Sequence, residues 1–196
     1  MTVDDGATLE EGPPEPEDVV IVPYDLLWPH RFVEAAGELR AALGDAVERI
    51  DHIGSTAVPG LPAKDVIDIQ ISVASFEPAE AYDEPLRRLG YEQLPDPEEP
   101  RHRFYRRPHE RPRRVNIHVC ESGGTWERRH LLFRDYLRTS KDVREAYARL
   151  KHEVSDRLRT NRYQYTAAKG PFIRETEQTA DDWASASAWA PGPPDA

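Results

Sequence analysis

The sequence predicts a single α+β domain in which a small mixed β-sheet is flanked by helices. Three observations predict this class. Two apolar runs of strand length enclose a small-residue loop between residues 52 and 70, and two more strand patterns follow between 101 and 121. Apolar residues at helical spacing precede and follow these strands. A chain of 196 residues suits one domain with a complete core.

The first elements are an apolar arm and an amphipathic helix. Residues 19–23 form a short apolar run that Pro23 restricts to an edge strand or an extended arm. Pro29 suits the first turn of a helix, and Gly44 suits the position just after its end. The apolar residues at helical spacing in this segment are Trp28, Phe32, Ala36, Leu39 and Leu43.

The remaining elements follow from apolar periodicity and from Gly, Pro and Ser punctuation. In order, we predict strands over 46–53 and 66–73, a helix over 78–89, a hairpin of strands over 101–107 and 113–121, and helices over 125–138, from 140 to 158 and over 163–169. Gly170 and Pro171 are predicted to stop the last helix or to kink it.

Charge divides the chain into a near-neutral body and two acidic ends. The formal net charge is −10, but residues 1–19 hold seven acids and residues 175–196 hold five, with no Lys or Arg in either segment. The 26 basic residues therefore meet only 24 acids between residues 20 and 174. We predict a disordered acidic tail over 1–18, a folded domain over 19–174 and a second acidic, disordered tail over 175–196.

Composition also restricts the class of protein. Cys120 is the single cysteine, so an intrachain disulfide is excluded and a secreted, disulfide-stabilised design is disfavoured. The sequence shows neither a secretory signal pattern nor an apolar run of membrane-spanning length. We therefore expect a cytoplasmic protein without a membrane partner. The body's net charge of only +2 disfavours nucleic acid as a partner, and the oligomeric state is not predicted.

The stretch from His52 to Gln70 is the strongest candidate site. Its Gly54-Ser55 turn offers backbone N–H groups and a hydroxyl, and Lys64 and Asp68 follow on the way into the next strand. Backbone donors, a cation and a carboxylate between two strands are suited to phosphate and metal. The competing interpretation is a tight connection, with Ser55 as a turn residue and Lys64 as a surface charge.

Four motifs in this sequence resemble the GrpB family. They are HIGSTAVPGL at 52–61, AKDVIDIQ at 63–70, NIHV at 116–119 and LFRDYL at 132–137. The same pattern is similar to the C-terminal domain that follows the kinase domain in many actinobacterial dephospho-CoA kinases. The resemblance covers residues 20–174. The Gly-x-x-x-x-Gly-Lys loop of the kinase domain is absent, so kinase activity is not expected here.

The resemblance implies a nucleotidyltransferase-like fold and a transferase-type activity. We expect the protein to bind a nucleotide or another phosphorylated small molecule, and nucleotidyl or phosphoryl transfer with Mg²⁺ is the reaction that this fold implies. The alternative is a non-catalytic ligand-binding module, or a partner of a kinase domain, that kept the pocket but lacks the second metal carboxylate.

The second carboxylate is the weak point of the metal-site prediction. In the wider superfamily two acids one residue apart on a strand share the ions, whereas here Asp68 is followed by Gln70. Gln70 shares the face of Asp68 but is neutral, and strand alternation sends Asp65 to the opposite face. If a metal binds, we expect Asp68 to be its chief ligand, with Asn116 or His118 completing the shell.

The candidate residues fall into two groups, in part through the resemblance. The candidate catalytic residues are Asp68, Asn116 and His118. The candidate ligand- or phosphate-binding residues are Gly54, Ser55, Thr56, Lys64, Gln70, Arg103, Arg134 and Lys169. Simpler interpretations remain for several of them. Arg134 and Asp135 suit a buried ion pair, and the polar side chains of Asn116 and His118 suit solvation or hydrogen bonds to neighbours.

Residues 101–114 contain seven arginines and two histidines, interleaved with Phe104 and Tyr105. Such a segment could hold a phosphorylated ligand or single-stranded nucleic acid. It could also be a solvated hairpin whose arginines pair with the acidic tails. We rank the solvated hairpin ahead of nucleic-acid binding, and we hypothesise that the tails screen this segment.

Overall fold

The computed structural model describes residues 18–95, 99–108, 110 and 114–196. Its strands are β1 (Arg49–Ile53), β2 (Ile67–Val73), β3 (Glu92–Leu94), β4 (Arg103–Arg106) and β5 (Val115–Glu121). Its helices are α1 (Trp28–Leu43), α2 (Glu80–Arg88), α3 (Thr125–Thr139), α4 (Lys141–Arg157), α5 (Arg162–Ala168) and α6 (Gly170–Ser187).

The five strands form one mixed sheet in the order β1-β2-β5-β4-β3. The central pair, β2 and β5, is parallel, and the other pairs are antiparallel. A parallel pair requires a crossover connection, which here contains α2 and the two short strands β3 and β4. The α+β class predicted from the sequence is confirmed, as is the pairing of β4 with β5 in a hairpin.

One face of the sheet carries the main hydrophobic core. Alternate residues of β2, from Ile67 to Val73, point to this face and pack against α1 and α2. The apolar stripe predicted for the first helix is buried there, since Trp28, Phe32, Ala36, Leu39 and Leu43 are each at most 5% exposed. Burial of a large apolar side chain contributes about 1.5–3 kcal/mol, so this face anchors the sheet.

The opposite face of the two central strands carries polar side chains. In the parallel register Asp68 lies opposite Asn116, Gln70 opposite His118, and Ser72 opposite Cys120. Helix α3 covers part of this face, and its Trp126 and Leu131 pack against Ile53 and Cys120. The candidate residues of β2 and β5 therefore lie between the sheet and the C-terminal helices.

The C-terminal region differs from the prediction. Helix α5 ends at Ala168, just before Gly170 and Pro171, as predicted, but these two residues then begin α6, because proline in a first turn needs no hydrogen-bonded N–H group. The buried side of α6 packs Ala180 and Ala184 on Leu132 and Tyr136. The tail predicted over 175–196 is thus helical to Ser187 in the structure.

Two other predictions concern the N-terminal part of the chain. The N-terminal arm forms an isolated antiparallel bridge between Val22 and Ala63, which fits the extended arm predicted there. The tail predicted over 1–18 falls almost entirely outside the described residues. Among the described helices, none combines the length and apolar character that crossing a membrane requires.

Candidate functional site

The site begins at the turn that follows β1. Gly54 has φ 71° and ψ −169°, a conformation that is essentially restricted to glycine, and a short 3₁₀ turn over Ser55–Ala57 follows it. A Cβ atom added to Gly54 would overlap the carboxylate of Asp68. The turn therefore requires glycine for its backbone angles and for its close approach to β2.

Asp68 is held in place from β5. Asn116 Nδ2 donates a hydrogen bond to Asp68 Oδ1 at 2.8 Å, and His118 Nε2 lies 3.5 Å from the same oxygen. Burial opposes ionisation of Asp68, but His118, Asn116 and Lys64 together hold the pKa of this carboxyl below its usual range. The Asp68 side chain is 27% exposed, so an ionised carboxylate faces the open side of the site.

His118 connects Asp68 to a cluster of aromatic rings. His118 Nδ1 lies 2.9 Å from His102 Nε2, and the ring of His102 stacks on Trp126. Burial and neighbouring cationic groups lower the pKa of His102 to about 3. His102 is therefore neutral at physiological pH, and these contacts restrict the orientation of the His118 ring.

Three lysines converge on the open side of Asp68. The ammonium groups of Lys64 and Lys169 lie 5.6 Å and 4.5 Å from the ring centroid of Tyr165. Lys151 lies 4.8 Å from the ring centroid of Tyr147 and donates a hydrogen bond to the carbonyl of Pro62. Cation–π contacts of this kind position ammonium groups without neutralising their charge.

These groups line a cavity of about 170 Å³. The lining is contributed by the turn, the following loop, β2, β5, α4 and α5. Its residues are Gly54, Ser55, Thr56, Ala63, Lys64, Val66, Asp68, Asn116, Tyr147, Lys151, Tyr165 and Lys169. Among the described lining residues Asp68 is the one carboxylate, so three cations outnumber it.

Burial is the main cause of the lowered pKa values of Lys151 and Lys169. Burial, with Lys169 and Lys64 nearby, lowers the pKa of Lys151 to about 7. Burial also lowers the pKa of Lys169 to about 8, although Asp68 opposes this shift. A bound anion would stabilise the charged form of both groups, so the cavity is suited to an anionic ligand.

The structure brings together seven of the residues predicted from the sequence. Those lining the cavity are Gly54, Ser55, Thr56, Lys64, Asp68, Asn116 and Lys169. His118 contacts Asp68 from the side instead of lining the cavity. Asn116 Oδ1 is buried without a hydrogen-bond partner in the described part of the chain.

Three predicted ligand contacts lie elsewhere. Gln70 is fully buried and does not line the cavity, and both polar atoms of its amide lack partners among the described residues. Arg103 stacks over the ring of Phe76 at 4.3 Å and donates to the carbonyl of Pro100. Arg134 is buried in an ion pair with Asp135, as the simpler interpretation of its sequence context suggested.

Sequence reasoning missed Lys151, Tyr147 and Tyr165. Lys151 follows Tyr147 by four residues and precedes Val154 by three, so it lies on the apolar stripe of α4. A lysine on the buried side of a helix was the signal that could have identified it, since Lys is almost never fully buried without a partner. It is only 2% exposed.

The residues present do not form a metal site by themselves. Among the described residues we find no group of three or more His, Cys, Asp or Glu side chains that could hold a metal ion. Asp65 contacts Arg31, Arg114 and Trp28 Nε1 instead of the cavity. A single carboxylate among three lysines does not suit a bare divalent cation.

Several arginines in the described part of residues 101–114 contact other parts of the protein. Arg101 donates to Thr125, and Arg107 donates to the carbonyl of Leu89. Arg114 pairs with Asp65. These contacts tie Arg101, Arg107 and Arg114 to the rest of the protein.

Comparison with known proteins identifies the family. The GrpB protein family model matches residues 18–179. A crystal structure of the conserved protein GrpB from Enterococcus faecalis superposes with a TM-score of 0.75 and 30% identity, covering 82% of this chain and 96% of that one. A UPF0157 protein of Halalkalibacterium halodurans is 31% identical, with 89% of this chain and 88% of that protein covered.

A dephospho-CoA kinase of Mycolicibacterium paratuberculosis is 34% identical over 197 aligned residues. The match covers 88% of this chain but 48% of the kinase, so the chain spans about half the length of that relative. The family match extends over most of the chain and includes the turn, β2, β5 and the three lysines of the cavity. The chain belongs to the GrpB family.

Proposed function

We propose that this protein binds a phosphorylated small molecule, of the nucleotide class, with its phosphate in the cavity between the Gly54 turn and the three lysines. One observation carries the proposal: Lys64, Lys151 and Lys169 line the same small cavity as the turn. Lysine ammonium groups and a small-residue turn are both established phosphate ligands in proteins.

The size of the cavity limits what enters it. Its volume of about 170 Å³ is below the roughly 300–1,000 Å³ of pockets that enclose a whole drug-sized ligand. A phosphoryl or pyrophosphoryl group therefore fits inside, while the remainder of the ligand extends from the mouth. The relatives named dephospho-CoA kinase are consistent with a ligand that carries phosphate.

Transfer of a nucleotidyl or phosphoryl group is the catalytic form of this proposal. Asp68 would orient or deprotonate an acceptor hydroxyl, with Asn116 and His118 fixing the carboxylate. Mg²⁺, when bound, would neutralise phosphate charge. Because Asp68 lacks an acidic partner in the cavity, we propose that Mg²⁺ would enter only together with the ligand's phosphates.

A non-catalytic binding module is the second candidate. The observation that favours it is Gln70, which stands where the second metal carboxylate would be expected and is buried away from the cavity. A module of this kind would keep the lysines and the turn but would leave its ligand chemically unchanged.

Calorimetric titration with pyrophosphate tests the binding proposal. We expect binding to the wild type, and at least tenfold weaker binding to Lys169→Met, because one cation is lost from the cavity. Lys141→Met is the matched control, since Lys141 lies on α4 with its side chain 75% exposed. Equal affinity for all three proteins would contradict the proposal.

Phosphorus NMR of ATP incubated with the protein and Mg²⁺ separates the two candidates. If the wild type converts ATP and the Asp68→Asn variant does not, the result supports group transfer. Binding of ATP that remains intact supports the non-catalytic module.

A further inference from the structure

The outer edge of β1 is covered by the chain's own last residues. β1 lies at one end of the sheet, where unpaired backbone groups can recruit another strand. The N–H group of Ala196 donates to the carbonyl of Ile50 at 3.1 Å. The carboxylate of Asp195 accepts a hydrogen bond from the N–H group of His52 at 3.0 Å. The tail therefore satisfies outward-facing groups of the edge strand.

Arg134 joins this tail to the interior. Its side chain is 4% exposed, and its Nη1 atom donates to Asp195 Oδ2 at 2.8 Å and to the carbonyl of His52 at 3.1 Å. The N–H group of His52 is thus bound by the carboxylate of Asp195. The C=O group of His52 is bound by Arg134, which also pairs with Asp195. A charge-assisted pair at a buried guanidinium is a specific recognition element.

Further contacts hold the tail along its length. Trp189 packs against the cluster that contains Ile53 and Cys120, and its Nε1 atom donates to Asp135. Arg49 donates to the carbonyl of Gly192. Arg40 donates to a backbone oxygen of Ala196. Residues 189–196 are therefore held at several points along their length, and the Asp195 carboxylate pairs with Arg134.

We infer that the β1 edge is a docking site for an extended peptide that carries a carboxylate, and that residues 189–196 of this chain occupy it, with Asp195 as the latch. This segment lies beyond residue 179, the last residue that the family model matches. The inference concerns a different surface from the lysine cavity and does not depend on the ligand proposed there.

Occupation of the edge has two physical consequences. It covers backbone groups that would otherwise be available to a strand of another molecule. It also fixes the peptide groups of His52 two residues before Gly54, and His52 in turn contacts Thr56 through a 3.0 Å hydrogen bond. The tail therefore supports the conformation of the turn from outside the cavity.

Residue-resolved amide hydrogen exchange of the full chain tests the inference. We expect Asp195→Ala to accelerate exchange at the His52 amide at least tenfold, and NMR relaxation to show residues 192–196 becoming mobile. Asp182→Ala is the control, because Asp182 is an exposed acid on α6 outside residues 189–196, and it should leave both readouts unchanged.

Two results would overturn the inference. The first is that the His52 amide exchanges at the same rate in Asp195→Ala as in the wild type. The other is faster exchange at His52 while residues 192–196 remain as ordered as before, which would show that Asp195 does not latch the tail. Neither readout requires a ligand, so failure of phosphate binding leaves this test unaffected.

Discussion

Gly54 and Asp68 approach each other so closely that a Cβ atom on Gly54 would lie 3.1 Å from Cβ of Asp68 and would overlap its carboxylate. Antiparallel pairing of Ile53 with Asp68 produces this approach. The turn that offers backbone donors and the strand that offers a carboxylate are therefore one structural unit, and the three lysines line the same cavity.

Substitution of Gly54 by alanine should damage both stability and anion binding. The backbone angles of Gly54 cost a non-glycine residue about 1–3 kcal/mol, and the overlap with Asp68 adds to this. We expect Gly54→Ala to lower the free energy of unfolding by about 2 kcal/mol or more in urea denaturation, and to weaken pyrophosphate binding.

Gly37→Ala is the matched control for this prediction. Gly37 is an exposed residue of α1, and an added Cβ there would meet nothing within 4 Å. Alanine in a helix interior is about 0.5–1 kcal/mol more favourable than glycine, so this variant should be stabilised. Equal effects of the two substitutions would contradict the special role of Gly54.

Replacement of Gln70 by an acid and replacement by an apolar residue should change the stability of the protein in opposite directions. Gln70→Asp places a carboxylate in a fully buried position next to the buried Asp51. We therefore expect the free energy of unfolding to fall by about 3 kcal/mol or more. Gln70→Met removes an amide that has no partner among the described residues, so we expect stability to stay constant or rise by about 1–2 kcal/mol.

Urea denaturation of both Gln70 variants measures these effects. Introducing an acid at this position is therefore not expected to create a metal site, because the new carboxylate would be buried and would not line the cavity. Wild-type stability in Gln70→Asp, together with a gain in Mg²⁺ affinity, would show that this account of Gln70 is wrong.

The depressed pKa of Lys151, about 7, predicts opposite pH dependences of stability and of anion affinity. Above pH 7 the unfolded chain keeps a proton that the folded protein releases, so Lys151 makes stability rise with pH between about 7 and 10. Sulfate affinity should fall over the same range, because the cavity loses a cation while sulfate stays fully charged.

Lys151→Met is the variant that checks this assignment. It should make both pH dependences weaker and leave the part contributed by Lys169, whose pKa is about 8. It should also raise stability at pH 6 more than at pH 9, because the buried cation is no longer present. Lys141→Met serves as the control, since its exposed ammonium group should leave both profiles as in the wild type. Unchanged profiles in Lys151→Met would assign the titration to another group.

The sequence predicted those elements whose signal is local. The apolar stripe from Trp28 to Leu43 predicted α1, and the alternation from Ile67 to Val73 predicted β2, because burial on one face leaves a periodic pattern in the sequence. The Gly54 turn and Asp68 were brought into one candidate site because strands flank them at short sequence separation.

Features that depend on long-range contacts were not predictable in the same way. Lys151 lies on an apolar stripe, and periodicity alone does not reveal that a cavity accommodates its ammonium group. Residues 175–187 have a polar, acidic composition typical of a tail, yet docking of Ala180 and Ala184 on α3 stabilises them as a helix. Asp195 contacts Arg134, which lies 61 residues away in the sequence, so local composition does not predict their contact.

The most direct test of the central claim is a crystal structure of the wild-type protein with pyrophosphate at saturating concentration. The account predicts the anion in the cavity, in contact with Lys151, Lys169 and the turn after Gly54. A cavity that contains no anion, or an anion bound instead to the arginines of residues 101–114, would contradict it.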